Sequence, residues 1–182
     1  MEYCSPLLEK ARYGDVEAFE AIFDEYHLRI CRYVCSLVDD LDLAEDLAQQ
    51  TFVKAYRSLA RGTPPDNLKA WLYAIATNTA LSALRRRRLI RWLPFQTHVE
   101  ATRAPGQDQE ARLGERELLQ QALDQLPRRD AACLLLRFQH GLSYAELADV
   151  LGISIPAARM RLSRARAAFR EIYLQLDQEE SR

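Results

Sequence analysis

The sequence predicts an all-α protein made of two small helical domains joined by a flexible linker. Apolar residues recur at helical spacing through most of the 182 residues. Six glycines, seven prolines and few runs of β-branched residues argue against a sheet protein. The stretch 93–112 loses this periodicity and is polar, with Pro94, Pro105 and Gly106, as expected of a linker. We therefore expect one domain at 1–92 and a second at 113–182.

Composition narrows the classes of function. The net charge is only −1, so any basic surface must be local. No apolar run is long enough to span a membrane, and the N-terminus lacks the order of a signal peptide, so we expect a cytoplasmic protein. Four cysteines without a CxxC pair and three scattered histidines indicate no metal set, no cofactor and no catalytic residue, and we expect a protein that is not an enzyme.

The first half predicts three long helices. Asp15 is placed to cap a helix that ends near Val38, and a second helix is expected from near Asp42 to about Leu59. A loop with two prolines follows, and Asp66 is placed to cap the third helix. Inward positions at helical spacing are Phe19, Ile22, Phe23, Tyr26, Ile30, Tyr33, Val34 and Leu37, then Leu43, Leu47, Phe52, Tyr56 and Leu59, then Leu68, Trp71, Leu72, Ile75 and Leu84.

The second helix begins with a concentration of acidic residues. These acids suit the positive end of the helix dipole, which is a purely structural interpretation. They also share one outward flank, which would suit a basic partner surface. The sequence leaves both interpretations open for Asp42, Glu45, Asp46 and Gln49.

The third helix ends in Arg85–Arg88, four consecutive arginines. A helix C-terminus favours such charges whatever the function. A second basic cluster elsewhere in the chain, however, suggests two contacts with one long polyanion. Trp71 is either a core residue or a half-exposed platform for stacking on bases, and Tyr73 and Asn78 are further outward candidates.

The stretch 141–170 predicts two helices with a tight turn between them. Ser143 and Glu146 have the spacing of a capping box, and Gly152 follows where a left-handed C-cap is expected. Ser154 is placed to cap the next helix, with Pro156 in its first turn. This is the pattern of a helix-turn-helix.

The last helix has an apolar face and a cationic face. Two shorter helices, expected at 113–126 and 128–138, would cover the apolar face. Between Pro156 and Arg170 there are five arginines and no acidic residue. Such a face suits phosphates and base edges of the major groove. The apolar stripe consists of Ala158, Leu162, Ala165 and Phe169, and the opposite face of Pro156, Ala157, Arg159, Met160, Ser163 and Arg164, flanked by Arg161 and Arg166.

These segments together resemble the extracytoplasmic-function sigma factors, a bacterial class that keeps conserved regions 2 and 4. The first block, AFEAIFDEYHLRICRYVCSLVDDLDLAEDLAQQTFVKAYRSL, is similar to the polymerase-binding segment of region 2. LKAWLYAIATNTALSALRRRR looks like the segment that recognises and melts the −10 element, and LPRRDAACLLLRF with GLSYAELADVLGISIPAARMRLSRARAAFR looks like the −35-binding region 4. The resemblance covers about residues 15–91 and 113–174.

The resemblance implies a factor that binds core RNA polymerase and directs promoter-specific initiation. It implies an anti-sigma partner, either soluble or membrane-anchored, of which the second would hold the protein at the inner membrane face, and no stable homo-oligomer. Polymerase contacts would come from Asp42, Glu45, Asp46, Gln49 and Phe52. Contacts with the −10 element would come from Lys69, Trp71, Tyr73, Asn78, Arg85, Arg86, Arg87 and Arg88, and contacts with the −35 element from Ser154, Ala157, Arg159, Met160, Arg161, Ser163 and Arg164.

One alternative function is a stand-alone helix-turn-helix regulator that acts without polymerase. Such a regulator needs a dimerisation helix and a ligand or receiver domain, and the N-terminal half carries neither signature. The chain also departs from the family pattern at Ser82, where many relatives carry an acid, and at 156–159, where many have Gly-Thr-Val-Lys.

Overall fold

The computed structural model describes residues 6–62, 65–90 and 110–180, and all regular structure in these ranges is helical. The predicted all-α class is confirmed. Most of the expected linker, 93–112, lies outside the described residues, as do Cys4 and Arg91. The helices are α1 (Pro6–Arg12), α2 (Val16–Val38), α3 (Leu41–Leu59), α4 (Leu68–Ile90), α5 (Glu110–Gln125), α6 (Arg128–Leu134), α7 (Tyr144–Leu151) and α8 (Ile155–Glu180), with a π-helical segment, Leu135–Gln139, continuing α6.

Short polar side chains begin the long helices of the first half. Asp15 and Asp40 each accept a backbone hydrogen bond at the start of α2 and α3, at 3.0 and 2.9 Å. The predicted cap at Asp66 is wrong, because Asn67 takes that position and its Oδ1 accepts from Ala70 N at 2.9 Å. Helix α4 therefore begins at Leu68, one residue later than it would with Asp66 as its cap.

Helices α1–α4 pack as a bundle around one large aromatic side chain, Tyr33, which is fully buried. Its hydroxyl lies 2.7 Å from Thr77 Oγ1 on α4, and burial raises the pKa of this phenol well above its ordinary value. Tyr56, expected to face inward, is instead 41% exposed. It packs edge-on against Phe19, with ring centroids 5.0 Å apart, at the rim of the bundle.

Helices α5–α8 form the second half, with the fully apolar stretch 131–136 at its centre. The single helix expected over 128–138 changes to π-helical geometry at Leu135. His140 N consequently bonds Leu135 O, five residues back, at 3.1 Å. Cys133 is a buried free thiol, and burial raises its pKa to about 11. Cys31 and Cys35, which are partly exposed, are not joined in a disulfide.

The two halves pack against each other and share one continuous apolar core. The main contact joins α4 to α7, and α2 also contacts α5, α6 and the π-helical segment. Arg128 Nη1 on α6 donates to the carbonyl of Leu37 on α2 at 3.4 Å. Among the described residues, no helix is long and apolar enough to cross a membrane, and no three or more metal-binding side chains gather.

Candidate nucleic-acid and protein interfaces

Helices α7 and α8 form the predicted helix-turn-helix. Ser143 Oγ accepts from Glu146 N at 3.2 Å, and the Glu146 carboxylate accepts from Ser143 N at 2.7 Å, which confirms the capping box. Gly152 ends α7 with a φ of 63°, a left-handed conformation that glycine adopts without strain. Ile153 N then donates to Ala148 O at 3.0 Å. Together these contacts fix the direction in which α8 leaves the turn.

The first four turns of α8 are divided between core and solvent. Ala158, Leu162 and Ala165 are buried against the preceding helices, as predicted. Met160 is 59% exposed on the other side. The exposed face, which we call the reading face, consists of Ser154, Ala157, Arg159, Met160, Ser163 and Arg164. Small residues between cations leave room for the helix to approach a nucleic-acid groove.

Arg161 does not belong to the reading face, which corrects the expectation from sequence. Its Nε lies 3.6 Å from Asp130 Oδ1 on α6, and its Nη1 is buried with no hydrogen-bond partner among the described residues. The guanidinium therefore points back toward α6 and links the two helices. The direction of a long side chain on the flank of an amphipathic helix depends on the polar groups that neighbouring helices place beside it. Sequence periodicity does not show which groups these are.

A second candidate surface is a groove of about 340 Å³ between α3 and α4. It brings together Trp71, for which the sequence left a core and a half-exposed position open, and Asn78, which was an outward candidate, with Ser82 one turn further along α4. Lys54 of α3 lines the same groove and was not predicted; its Nζ donates to Thr79 Oγ1 at 2.9 Å. The helical periodicity of α3 places Lys54 on the outward side, but nothing in the sequence indicates that it contacts α4.

The arginines at the end of α4 differ in their contacts. Arg87 Nη1 pairs with Asp40 Oδ2 at 2.9 Å, so part of its charge is neutralised inside the first half. Among the described residues, Arg85 bonds only within its own helix, to Leu81 O and Ser82 Oγ. Arg85 and Arg86 are exposed and carry no ion pair to another described residue. The side chain of Arg88 lies outside the described residues.

Tyr73 is buried, so the outward placement predicted for it is wrong. Its side chain is 1% exposed and lies between Tyr33 and His140, with its ring 5.4 and 5.0 Å from theirs. Lys69, one turn earlier, is half-buried, and its charge adds to the effect of burial, which is the main cause of the lowered pKa of His140. The sequence of α4 does not show that this side is covered, because the covering residues, Tyr33 on α2 and His140 after the π-helical segment, are distant along the chain.

The acidic flank of α3 is exposed, which is consistent with both the structural and the partner-binding interpretation. Asp42, Glu45, Asp46 and Gln49 all lie on it, and we call these four residues the acidic shoulder. Phe52, one helical turn beyond Gln49, is only 3% exposed. Phe52 therefore offers an edge at most, rather than a projecting side chain.

An apolar groove of about 550 Å³ adjoins the acidic shoulder. Gln49 lines it together with aromatic side chains of α2 and α3. Phe23 and Phe52 meet edge to face at its floor, with centroids 4.8 Å apart. Val53 is 48% exposed at the rim of the groove. Its position in the sequence did not mark it as part of a candidate binding surface. Acidic and apolar surfaces here form one continuous patch.

Two polar contacts join the halves at the α4–α7 boundary. Asn67 Nδ2 donates to Glu146 Oε1 at 3.1 Å, and Tyr73 Oη lies 2.8 Å from His140 Nδ1. Burial alone would raise the pKa of Glu146, but hydrogen bonds from Ser143 and Asn67 outweigh it and lower that pKa. The carboxylate is therefore ionised and serves both the helix cap and the contact between halves.

Two models of known protein families match different parts of the chain. The family model "Sigma-70 region 2" matches residues 22–90, which span α2–α4. The model "Sigma-70, region 4" matches residues 116–169, which include the helix-turn-helix.

Individual relatives and solved structures point to the same family. The chain is 34% identical to the RNA polymerase sigma factor CarQ of Myxococcus xanthus, and the match covers 96% of this chain and 100% of CarQ. It is 33% identical to the RNA polymerase sigma-H factor of Pseudomonas aeruginosa, covering 89% of each. The sigma factor RpoE of Bartonella quintana, solved with the anti-sigma factor NepR, superimposes with a TM-score of 0.70 at 28% identity, over 86% of this chain and 97% of that one.

Proposed function

The chain belongs to the sigma-70 family of RNA polymerase sigma factors, within the extracytoplasmic-function group, and on this premise we propose how it acts. It binds core RNA polymerase and directs initiation at promoters through contacts with both the −10 and the −35 element. The observation that carries the proposal is the reading face of α8, which is cationic, exposed and held by a capped turn.

The −35 element is bound by the reading face. Arg159 and Arg164 reach phosphates or base edges, while Ala157 and Ser163 allow close approach. The contact is electrostatic in large part, so its affinity falls as salt is raised.

The −10 element lies along the groove between α3 and α4. Trp71 and Asn78 meet unstacked bases there, and Lys54 adds a cation that sequence reasoning missed. Stacking on an aromatic ring recovers about 1–3 kcal/mol per base, which offsets part of the cost of melting. Arg85 and Arg86 at the end of α4 hold the nearby phosphates.

Core polymerase docks on the acidic shoulder and the apolar groove beside it. Carboxylates at the rim select a basic partner and speed its approach, and the apolar floor supplies area to bury. Gln49, which lines the groove as well as the shoulder, lies at the junction of the two.

Promoter engagement requires the two halves to separate. The −10 and −35 elements lie about 25 base pairs apart, on the order of 85 Å along the duplex at 3.4 Å per pair. A compact chain of this length has a radius of gyration of only about 16 Å. The packed arrangement therefore cannot reach both elements. We propose domains at 1–92 and 113–182, with 93–112 as the tether that lets them part.

Tethering also explains why neither half needs to bind DNA tightly. Once polymerase holds the first domain, contact of the second with DNA becomes intramolecular. Effective concentrations in the millimolar range then raise the overall avidity by roughly 10²–10⁴-fold. Recognition is thereby restricted to the holoenzyme.

Partners and location follow from the same premise. Two solved structures similar to this chain are complexes, one of the sigma factor RpoE with the anti-sigma factor NepR and one of CnrH with the cytosolic domain of CnrY. We propose that an anti-sigma factor also restrains this chain, and that it works in the cytoplasm.

Run-off transcription tests the proposal directly. Core polymerase is mixed with the purified chain and a genomic fragment library, and transcripts are sequenced. We expect initiation at a set of fragments that share two elements. No association with core polymerase at low salt, and no transcript, would overturn the proposal.

Footprinting separates a sigma factor from a stand-alone regulator. A sigma factor protects promoter DNA only when core polymerase is present. Protection by the chain alone at the same fragments would identify a regulator instead.

A further inference from the structure

Two arginines from different helices lie over the ring of Tyr144, the first residue of α7. The guanidinium carbon of Arg137, in the π-helical segment, is 5.0 Å from the ring centroid. That of Arg159, on the reading face of α8, is 5.2 Å from it. Both distances are within the range in which a cation is attracted to an aromatic face.

Two members of this group are held by the protein framework. Tyr144 follows the cap residue Ser143, and its half-buried ring packs against the apolar core. Arg137 Nη1 donates to the carbonyl of Leu142 at 2.6 Å, which anchors the guanidinium beside the start of α7. Ring and anchor therefore form a platform whose position is set by the turn itself.

Arg159 is the exposed member of the group. Its guanidinium forms no ion pair or hydrogen bond with another described residue and lies over the Tyr144 ring. Stacking engages the flat face of a guanidinium and leaves the N–H groups along its edge available. Arg161, by contrast, is drawn back to Asp130.

We propose that Tyr144 is a positioning residue for recognition of the −35 element. Its ring holds the Arg159 guanidinium above the reading face, with the donor edge turned toward the DNA. A guanidinium fork matches guanine O6 and N7, so the base read by Arg159 is guanine. The inference rests on the proposed function, since it assigns a role within the −35 contact.

The physical gain is preorganisation. A free arginine side chain loses rotamer entropy when a base fixes it, at a cost of the order of 1–2 kcal/mol. A side chain already stacked loses less, and its planar fork arrives in one orientation. Preference for one base should therefore depend on the ring as much as on the arginine.

The first test needs no DNA. A stacked Arg159 places its Cδ protons over the Tyr144 ring, so their NMR resonances should be shifted upfield in the free chain. The shift should disappear in Tyr144→Leu and persist in Tyr144→Phe. Unshifted resonances in the native chain would overturn the inference.

The second test measures base preference in the holoenzyme. A promoter recovered by run-off transcription is randomised in its −35 element and selected with core polymerase plus each variant. We expect Arg159→Ala and Tyr144→Leu to lose about 5-fold in preference for guanine at the same position, and Tyr144→Phe to keep it. The double variant should lose no more than Arg159→Ala alone.

Control variants separate positioning from general stability. Tyr173→Leu removes an aromatic ring further along α8, where it stacks on Phe169 at 6.1 Å, and should leave base preference unchanged. A uniform loss at every position in Tyr144→Leu, or additive losses in the double variant, would contradict the inference. A native chain that fails to initiate overturns the proposed function instead, so the two failures differ.

Discussion

Tyr73 Oη and His140 Nδ1 lie 2.8 Å apart, and this hydrogen bond joins the two halves of the chain across 67 residues of sequence. Tyr73 is on α4 and His140 follows the π-helical segment. Their rings also contact Tyr33, which makes an aromatic cluster at the boundary. A residue expected at a DNA surface is thus part of the contact that must open before the halves can part.

Removing this hydrogen bond should weaken the packed arrangement. Tyr73→Phe keeps the ring but leaves a buried imidazole nitrogen without its partner, at a cost of about 1–2 kcal/mol. Urea unfolding followed by tryptophan fluorescence measures the loss. Tyr13→Phe is the matched control, because Tyr13 is 83% exposed and its hydroxyl is in water. Equal unfolding free energies for the two variants would show that the bond contributes nothing.

Acid should destabilise the packed chain through His140. Burial, followed by the charges of Lys69 and Arg29, lowers the pKa of His140 from 6.5 to about 4. Between these values the unfolded chain takes up a proton that the folded chain refuses. Stability is therefore highest above pH 6.5 and falls as the pH approaches 4.

The matched variant for this prediction is His140→Gln, which keeps a polar side chain but does not titrate. Unfolding free energies are compared at about pH 7.5 and about pH 5, where carboxylates common to both chains contribute equally. The native chain should lose more stability than the variant. Parallel losses would assign the acid sensitivity to other groups.

The turn of the helix-turn-helix depends on a glycine. Gly152 has a φ of 63°, and an alanine there should destabilise the chain by about 1–2 kcal/mol. Gly114 provides the opposite case, since it lies inside α5 and an added Cβ meets no atom within 4 Å. Gly114→Ala should stabilise by up to about 1 kcal/mol. Thermal unfolding of both variants checks the two signs together.

Loss of a reading-face cation should affect the promoter and spare polymerase. Arg164→Ala is expected to weaken −35 binding about tenfold, while affinity for core polymerase is unchanged. Lys10→Ala, an exposed cation on α1, serves as the control and should behave like the native chain. Holoenzyme binding to promoter fragments with and without the −35 element measures the effect. Equal losses of promoter and polymerase affinity would contradict the assignment.

Charge reversal on the acidic shoulder should weaken the binding of core polymerase. Asp46→Lys places a cation where a basic partner surface is expected, and like charges should reduce polymerase binding at least about tenfold. Glu9→Lys makes the same change on α1, away from the acidic shoulder. A pull-down with core polymerase compares them. Undiminished capture by the Asp46→Lys chain would refute the proposed docking surface.

Elements governed by neighbouring residues were predictable from sequence. The Ser143–Glu146 capping box and the Gly152 cap were both confirmed, because each depends on backbone atoms within four residues. The misplaced cap at Asp66 shows how little separates two candidates, since Asn67 beside it has an equally capable side chain. The bounds of α2 and α3 agree with expectation for the same local reason.

An all-helical chain, a helix-turn-helix and a cationic last helix follow from the amino-acid sequence alone, since periodicity, caps and charge are local properties. Which of the outward residues face solvent depends on tertiary packing. Packing buries Tyr73 between Tyr33 and His140, pairs Arg161 with Asp130, brings Lys54 and Trp71 to one groove and places the Arg159 guanidinium over the Tyr144 ring. The reason is physical: an amphipathic pattern states which side of a helix is apolar, but a long side chain at its edge is directed by groups from other helices. Those groups are distant in sequence, and only packing brings them within bonding distance.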